Sequence, residues 1–289
     1  MTTRQASRGV TAVEVILCVA VVLIILMYVM LSMPRSRESA RRTTCQRNMM
    51  QIGMALGLYT QGDLPLPQVR YGEAGPLAQM LAELKQPDFM NLTDRKVAPK
   101  PARAPAGPQP VPGFVCPSDP SASDGSLPAP VSYRAATGDT PDGIHGAFEP
   151  GKIFLPSSFE SGKGTGFIAA FSERMVGNSR DDKLASYNLV PGPLGGGVCP
   201  EGDASARKDD AGASWMKSTW ADTLYQHAIP PNATPSCVAS DGKSAQIGAS
   251  SAHPEGVHLL MIDGSVKQYR PTVDHAIWRG LANTGVPSQ

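Results

Sequence analysis

Most of the short signatures that announce a reaction are missing from this chain, and so is any strong charge of one sign. It holds 26 Lys and Arg against 25 Asp and Glu, so the overall balance points neither to nucleic acid nor to acidic substrates. There is no G-x-S-x-G, and the serines near His253 (Ser250 and Ser251) lack the strand–turn–helix setting of a nucleophile elbow. Ser161–Gly166 (SGKGTG) fails as a phosphate loop. Ser157 stands where the first glycine of G-x-x-x-x-G-K-[ST] belongs, and Gly164 follows Lys163. No C-x-x-C occurs: Cys45, Cys116, Cys199 and Cys237 are 71, 83 and 38 residues apart, which argues against a thiolate zinc site. EF-hand spacing is absent as well.

What the chain does have begins with an apolar run. From Ala12 to Leu31 the only charged residue is Glu14, and thirteen residues are Val, Ile or Leu. At 1.5 Å per residue such a helix covers about 30 Å, the thickness of a bilayer core. The run is too long for the apolar region of a cleaved signal peptide, and Ser32-Met33-Pro34-Arg35 is a poor small-residue cut site. The run is therefore predicted to form a transmembrane helix behind a short basic head. A carboxylate in such a span usually has a partner or a job, which makes Glu14 a candidate functional residue. Orientation is contested. Arg35, Arg37, Arg41, Arg42 and Arg47 outnumber Arg4 and Arg8, which would leave the C-terminal part in the cytoplasm. Four cysteines beyond the run suit an exported domain with two disulfides instead, three pairings being possible.

Arg8-Gly9-Val10-Thr11-Ala12-Val13-Glu14 resembles the type IV prepilin signal, with Val10 where that signal usually has Phe. The resemblance implies that residues 1–9 are a leader ahead of a transmembrane helix over residues 10–33, that prepilin peptidase cuts between Gly9 and Val10, that Val10 is then N-methylated, and that Glu14 stands fifth in the mature chain. It further implies that Glu14 neutralises the α-amino group of a neighbouring subunit within an apolar bundle, so that neither charge is buried alone. Together with the cysteines it places the chain in the inner membrane, with its C-terminal domain in the periplasm or at the cell surface.

The helix is predicted to continue over residues 34–60, kinked at Pro34. Cys45, Met49, Ile52, Leu56 and Tyr59 fall at spacings of 4, 3, 4 and 3, a stripe suited to packing on a sheet. That stripe favours a Cys45–Cys116 bridge, leaving Cys199 for Cys237. The remaining residues, 61–289, suffice for one domain with a core, and 27 Pro and 29 Gly predict many turns. A short amphipathic helix is expected over 75–85. Residues 97–113 carry six prolines and no period, which predicts a surface excursion outside any core. Strands are expected at 113–116, 131–135, 167–172 and 186–190, and an exposed loop over 192–210. Within 251–269, Asp263-Gly264 between two β-prone stretches predicts an antiparallel hairpin with a type I′ turn. His253 and Asp263 would pair across that hairpin if they formed a general base. The simpler reading is that His253 caps the strand while Asp263 and Gly264 make the turn.

His253, nine intervening residues, then Asp263-Gly264 also resembles the H-X9-DG motif, which closes a large bacterial family of prepilin-anchored proteins whose globular domain has no assigned function. Arg41–Gly53, Phe114–Pro120, Thr165–Gly177 and Tyr225–Cys237 resemble further blocks of that family, in its order. The resemblance implies an α+β fold, with a long N-terminal transmembrane and amphipathic helix packed on an antiparallel β-sheet in a pilin-like, loop-rich domain. It implies prepilin peptidase, pilin-like subunits or secretion machinery, and the membrane as partners, with no nucleic acid, reaction or cofactor. Major pseudopilins similar at the N-terminus bind calcium in a C-terminal loop; here Asp203, Asp209, Asp210, Asp222 and Asp241 would be the oxygen donors. The expected function is non-enzymatic: a pseudopilin-like subunit of a type II secretion or type IV pilus-like filament. The alternative is a monomeric tethered domain that binds a polysaccharide or an envelope partner.

Overall fold

The computed structural model describes residues 11–84, 109–122, 125, 127–160, 162–177, 182–194, 199–200 and 206–286, with the side chains of 29 and 31–35 excepted. The expected leader with Gly9 and Val10, most of the proline-rich stretch, and Asp203 lie outside the described residues. Two units emerge from the contacts, Met1–Arg41 and Arg42–Gln289. Helix α1 (Ala12–Tyr59) belongs to both and runs through Pro34.

In the first unit, Val13, Val15, Ile16, Leu17, Val19, residues 21–28 and Met30 of α1 are 51–74% exposed. In the second, α1 buries Cys45, Met49, Ile52 and Leu56 in the main core. After it come α2 (Pro76–Gln79), a 3₁₀ turn at Pro112–Phe114, β1 (Tyr133–Ala136), α3 (Pro156–Glu160), β2 (Ala169–Glu173) and β3 (Tyr187–Val190). The short strands β4 (Arg207–Lys208), β5 (Leu224–Tyr225), β6 (Cys237–Ala239) and β7 (Ala245–Gln246) follow, then β8 (Val257–Met261), β9 (Val266–Tyr269) and α4 (His275–Ala282).

One sheet has the order β5-β1-β2-β8-β9 and a second the order β4-β3-β6-β7. Every residue of β1, β2 and β8 is buried, as expected of central strands covered on both faces. The edge strand β9 (VKQY) is half-buried throughout and carries Lys267, a charge that discourages further pairing on that side.

The expected fold class needs correcting on two counts. Neither sheet is purely antiparallel: β1 pairs β5 in parallel and β3 pairs β6 in parallel. Nor, among the described residues, is any helix long and apolar enough to cross a membrane. The main sheet receives the segment of α1 from Arg42 onward, and the apolar half falls in the other unit.

Local expectations shift for identifiable reasons. The helix expected over 75–85 stops at Gln79, whose side chain is held across the chain by Gln68 and Ala74. Residues 113–116 form no strand; they leave the 3₁₀ turn toward a disulfide. Val111, at the end of the proline-rich stretch, is buried in the core, and nearby Gln109 accepts the Trp215 indole N–H. Within 192–210, Leu194 and Cys199 are buried.

The hairpin at β8–β9 turns through three residues, not two. Leu260 faces Val266, Met261 N donates to Ser265 O at 2.8 Å, and Gly264 N donates to Met261 O at 3.0 Å. Gly264 alone takes the left-handed conformation (φ 84°), whereas a type I′ turn would require Asp263 to do so as well.

Candidate functional site

The blocks singled out in the sequence meet at one buried corner. Cys45 comes from α1, Cys116 from the segment after the 3₁₀ turn, Glu173 from the end of β2, and His253 from the loop ahead of β8. Cys45 and Cys116 form a disulfide closing 71 residues of sequence separation. His253 Nε2 lies 3.3 Å from Glu173 Oε1 and 3.6 Å from Cys116 Sγ. On the other side of the carboxylate, His258 Nδ1 is 3.0 Å from Oε1, and the His258 backbone N–H donates to Oε2 at 2.9 Å. The two imidazoles meet edge to face with centroids 5.1 Å apart.

Local chemistry explains why these groups converge. Antiparallel pairing sets β8 beside β2, so His258 and Glu173 face each other at the strand ends. Asn232 accepts the Ser251 N–H, and Ser251 Oγ accepts the His253 N–H, which fixes the loop that presents the ring. Asn48 donates to Val115 O, and the Tyr133 hydroxyl donates to Cys45 O, tying this end of α1 beside the disulfide.

Burial alone would push the Glu173 carboxyl up. Hydrogen bonds from His253 and His258, with the charge of those rings, outweigh it and hold the group at about 2. Nearby Asp119 has neutral donors, the backbone N–H groups of Val176, Ser121 and Ala122 and the Ser132 hydroxyl; there burial dominates and raises the carboxyl to about 6. Behind it sit two fully buried guanidinium groups, Arg134 and Arg174, both lowered chiefly by burial, Arg134 to about 10. Arg174 is held by the carbonyls of Gly248 and Ser186.

The sequence candidates fall in separate places. The Asp263 carboxylate accepts from Ser265 N and Oγ on the exposed turn, whereas His253 is buried against Glu173, so the two do not form a pair. Glu14 closes a capping box with Thr11: the Thr11 N–H donates to Glu14 Oε2 at 2.8 Å, and the Glu14 N–H to Thr11 Oγ1 at 3.4 Å. Cys199 bridges to Cys237 in the smaller core cluster, beside Val190 and Leu194. The described aspartates of the calcium set are engaged singly. Asp209 pairs with Arg207, Asp210 accepts from Tyr187, Asp222 from Ser214 and Thr219, and Asp241 from Lys243. Among the described residues they do not gather into a group of three ligands.

Sequence reasoning missed Glu173, His258 and Asp119. A signal existed for two of them: Glu173 is the only charge in β2 (AAFSE), and His258 interrupts an otherwise apolar β8 (VHLLM). It also missed His227, fully buried under α4. The Tyr225 hydroxyl lies 2.8 Å from its Nε2, the Trp278 carbonyl 2.8 Å from its Nδ1, and the Trp278 indole stacks on it at 3.9 Å.

A family model described as "Protein of unknown function (DUF1559)" matches residues 34–181 and 165–276. No curated protein and no solved structure matches the chain.

Proposed function

The chain belongs to the DUF1559 family of proteins of unknown function, and from that premise we propose that it is a non-enzymatic, pseudopilin-like envelope protein whose N-terminal helix assembles with the helices of other pilin-like subunits. The observation that carries this reading is the first unit. Val13, Val15, Ile16, Leu17, Val19, residues 21–28 and Met30 are more than half exposed, an apolar surface too large for an isolated helix to leave in water. Helices of like subunits would cover it. Two disulfides favour an oxidising compartment for the globular unit, on the outer side of the inner membrane. Prepilin peptidase would release the mature chain between Gly9 and Val10.

Glu14 is where the reading is tested, and its capping bond decides the choice of variant. Glu14→Ala removes the cap and the charge together, whereas Glu14→Gln retains the capping reach and loses only the charge. The Gln variant should be cut and N-methylated, as read by intact mass, yet fail to cross-link into multimers in cells. Multimers at the wild-type level would remove the filament reading in favour of a monomeric binding domain. A mature protein beginning at Met1 would remove the processing route.

A further inference from the structure

The disulfide corner is one covalent bond away from a different chemistry. Cys45, Cys116, Glu173 and His253 each offer a ligand atom, all four atoms lie within 4.8 Å of one another, and all four residues are buried. We propose that reduction of the Cys45–Cys116 disulfide turns this corner into a tetrahedral zinc site, with two thiolates, His253 Nε2 and Glu173 Oε1 as ligands.

Geometry carries the proposal. Zinc bonds of about 2.0–2.1 Å to nitrogen or oxygen and about 2.3 Å to sulfur give tetrahedral edges of roughly 3.3 Å for N···O and 3.5 Å for S···N. The corresponding separations are 3.3 Å for His253 Nε2–Glu173 Oε1 and 3.6 Å for Cys116 Sγ–His253 Nε2. Two of the six edges of the polyhedron are thus already in place, the other ligand atoms lie within 4.8 Å, and the two bonded sulfurs have to part.

Orientation is supplied as well. His258 bonds the Glu173 carboxylate through its ring and its backbone N–H, which is how outer groups commonly aim a carboxylate at a metal. The ligands reach the corner from four separate elements, and for that reason no short cysteine spacing announces them.

The chemistry balances with a dithiol as reductant. Two electrons pass to the protein disulfide, giving two cysteine thiols and one oxidised dithiol. Zn²⁺ then displaces both thiol protons to solvent and binds two thiolates, the neutral imidazole and the carboxylate. The reverse exchange, with a disulfide as oxidant, takes two electrons from the two thiolates, re-forms the protein S–S bond, leaves the oxidant as a dithiol and releases Zn²⁺. Disulfide and metal are therefore mutually exclusive occupants of the corner, and a chain that acquires zinc before export would release it on oxidation.

The test uses the full chain carrying Cys199→Ser and Cys237→Ser, so that only one disulfide remains to be reduced. The protein is reduced anaerobically with a phosphine and titrated with Co²⁺ as the spectroscopic probe. The expected result is one equivalent bound, with intense tetrahedral ligand-field bands and sulfur-to-cobalt charge transfer, displaced by Zn²⁺ and absent from the oxidised protein. His253→Ala should abolish the tetrahedral bands, and His258→Ala should weaken binding about 10- to 100-fold. If the reduced protein shows no such bands, or keeps them unchanged in His253→Ala, the proposal fails. It fails equally if reduction unfolds the chain, by near-ultraviolet circular dichroism, and zinc does not restore the native signal.

Discussion

At the disulfide corner, His253 and His258 face the carboxylate of Glu173; beneath α4, His227 faces a phenol, a backbone carbonyl and an indole. All three rings are buried. What differs is the partner. Glu173 is held ionised at about 2 because two imidazoles offset its burial. Among the described residues no carboxylate is hydrogen-bonded to His227, and burial drives it down to about 3, only partly opposed by the bond to Trp278 O and the more distant charge of Asp139. Its ring is therefore neutral, with Nδ1–H donating to the Trp278 carbonyl and Nε2 accepting from Tyr225. One region buries a charged network and the other buries a neutral ring, in the same fold and at the same depth. Burial sets the cost of the proton, and the neighbour decides whether that cost is met.

The largest expected effect comes from breaking the charged network on one side only. Glu173→Leu leaves His253 and His258 facing each other without their acceptor and strands the His258 backbone N–H. It should destabilise the protein by about 3–5 kcal/mol, the usual consequence of removing one partner of a buried pair. Urea unfolding at pH 7 measures this. The pH dependence of the intact protein has a definite sign here. The folded value of Glu173 lies below its ordinary 4.5, so its contribution is complete above that pH and is lost as pH falls from there through about 2. Glu173→Leu should lack this acid limb.

The neutral ring should behave differently. His227→Phe keeps a ring on Trp278 but orphans the Tyr225 hydroxyl and the Trp278 carbonyl, which costs about 1–3 kcal/mol at pH 7.5. Wild-type stability carries a second titration, because His227 falls from its ordinary 6.5 to about 3 on folding. The unfolded chain then binds the extra proton across that window. The stabilisation is complete above pH 6.5 and is lost toward pH 3, on the order of 5 kcal/mol in all. The variant has no such loss, so the two stability curves should approach each other below pH 6.5 and cross between about pH 5.8 and pH 4.3, according to where in that range of about 1–3 kcal/mol the deficit falls. Parallel curves over that range would mean that the buried ring is charged, and the contrast with Glu173 would disappear.

How much of this the sequence discloses depends on how local each cause is. The stripe Cys45, Met49, Ile52, Leu56 is legible from helical spacing alone, and these are the residues α1 buries. The β8–β9 hairpin is legible from Asp263-Gly264. Its turn is misread by one residue, because Ile262 looks like strand and in fact joins the loop. The parallel pairings are illegible, since β5 is two residues long and two residues have no period. The apolar run reads as a bilayer span, whereas no helix among the described residues meets that length and apolarity. The disulfide corner is hidden for another reason. Glu173 and His253 are 80 positions apart in sequence, and only the packing of β8 against β2 and the tether from Asn232 bring them together. His253 drew attention through its distance from Asp263, yet the carboxylate it meets belongs to a different strand.

The smallest effect tests whether the hairpin turn belongs to the charged corner at all. A Cβ on Gly264 would meet nothing within 4 Å, so Gly264→Ala is strained only through its φ of 84°. That strain is worth about 1 kcal/mol, the penalty of a left-handed alanine. Gly53 is the complementary case: a Cβ there would come within 2.9 Å of Leu260 Cδ1 and 3.1 Å of the Gly264 Cα, where α1 crosses the turn. Gly53→Ala must displace backbone and should cost more than Gly264→Ala. Both variants should keep the acid limb set by Glu173, since neither touches its partners. Loss of that limb in Gly264→Ala would mean that the turn and the histidines form one unit, and that Asp263 and His253 are coupled through the strand that joins them.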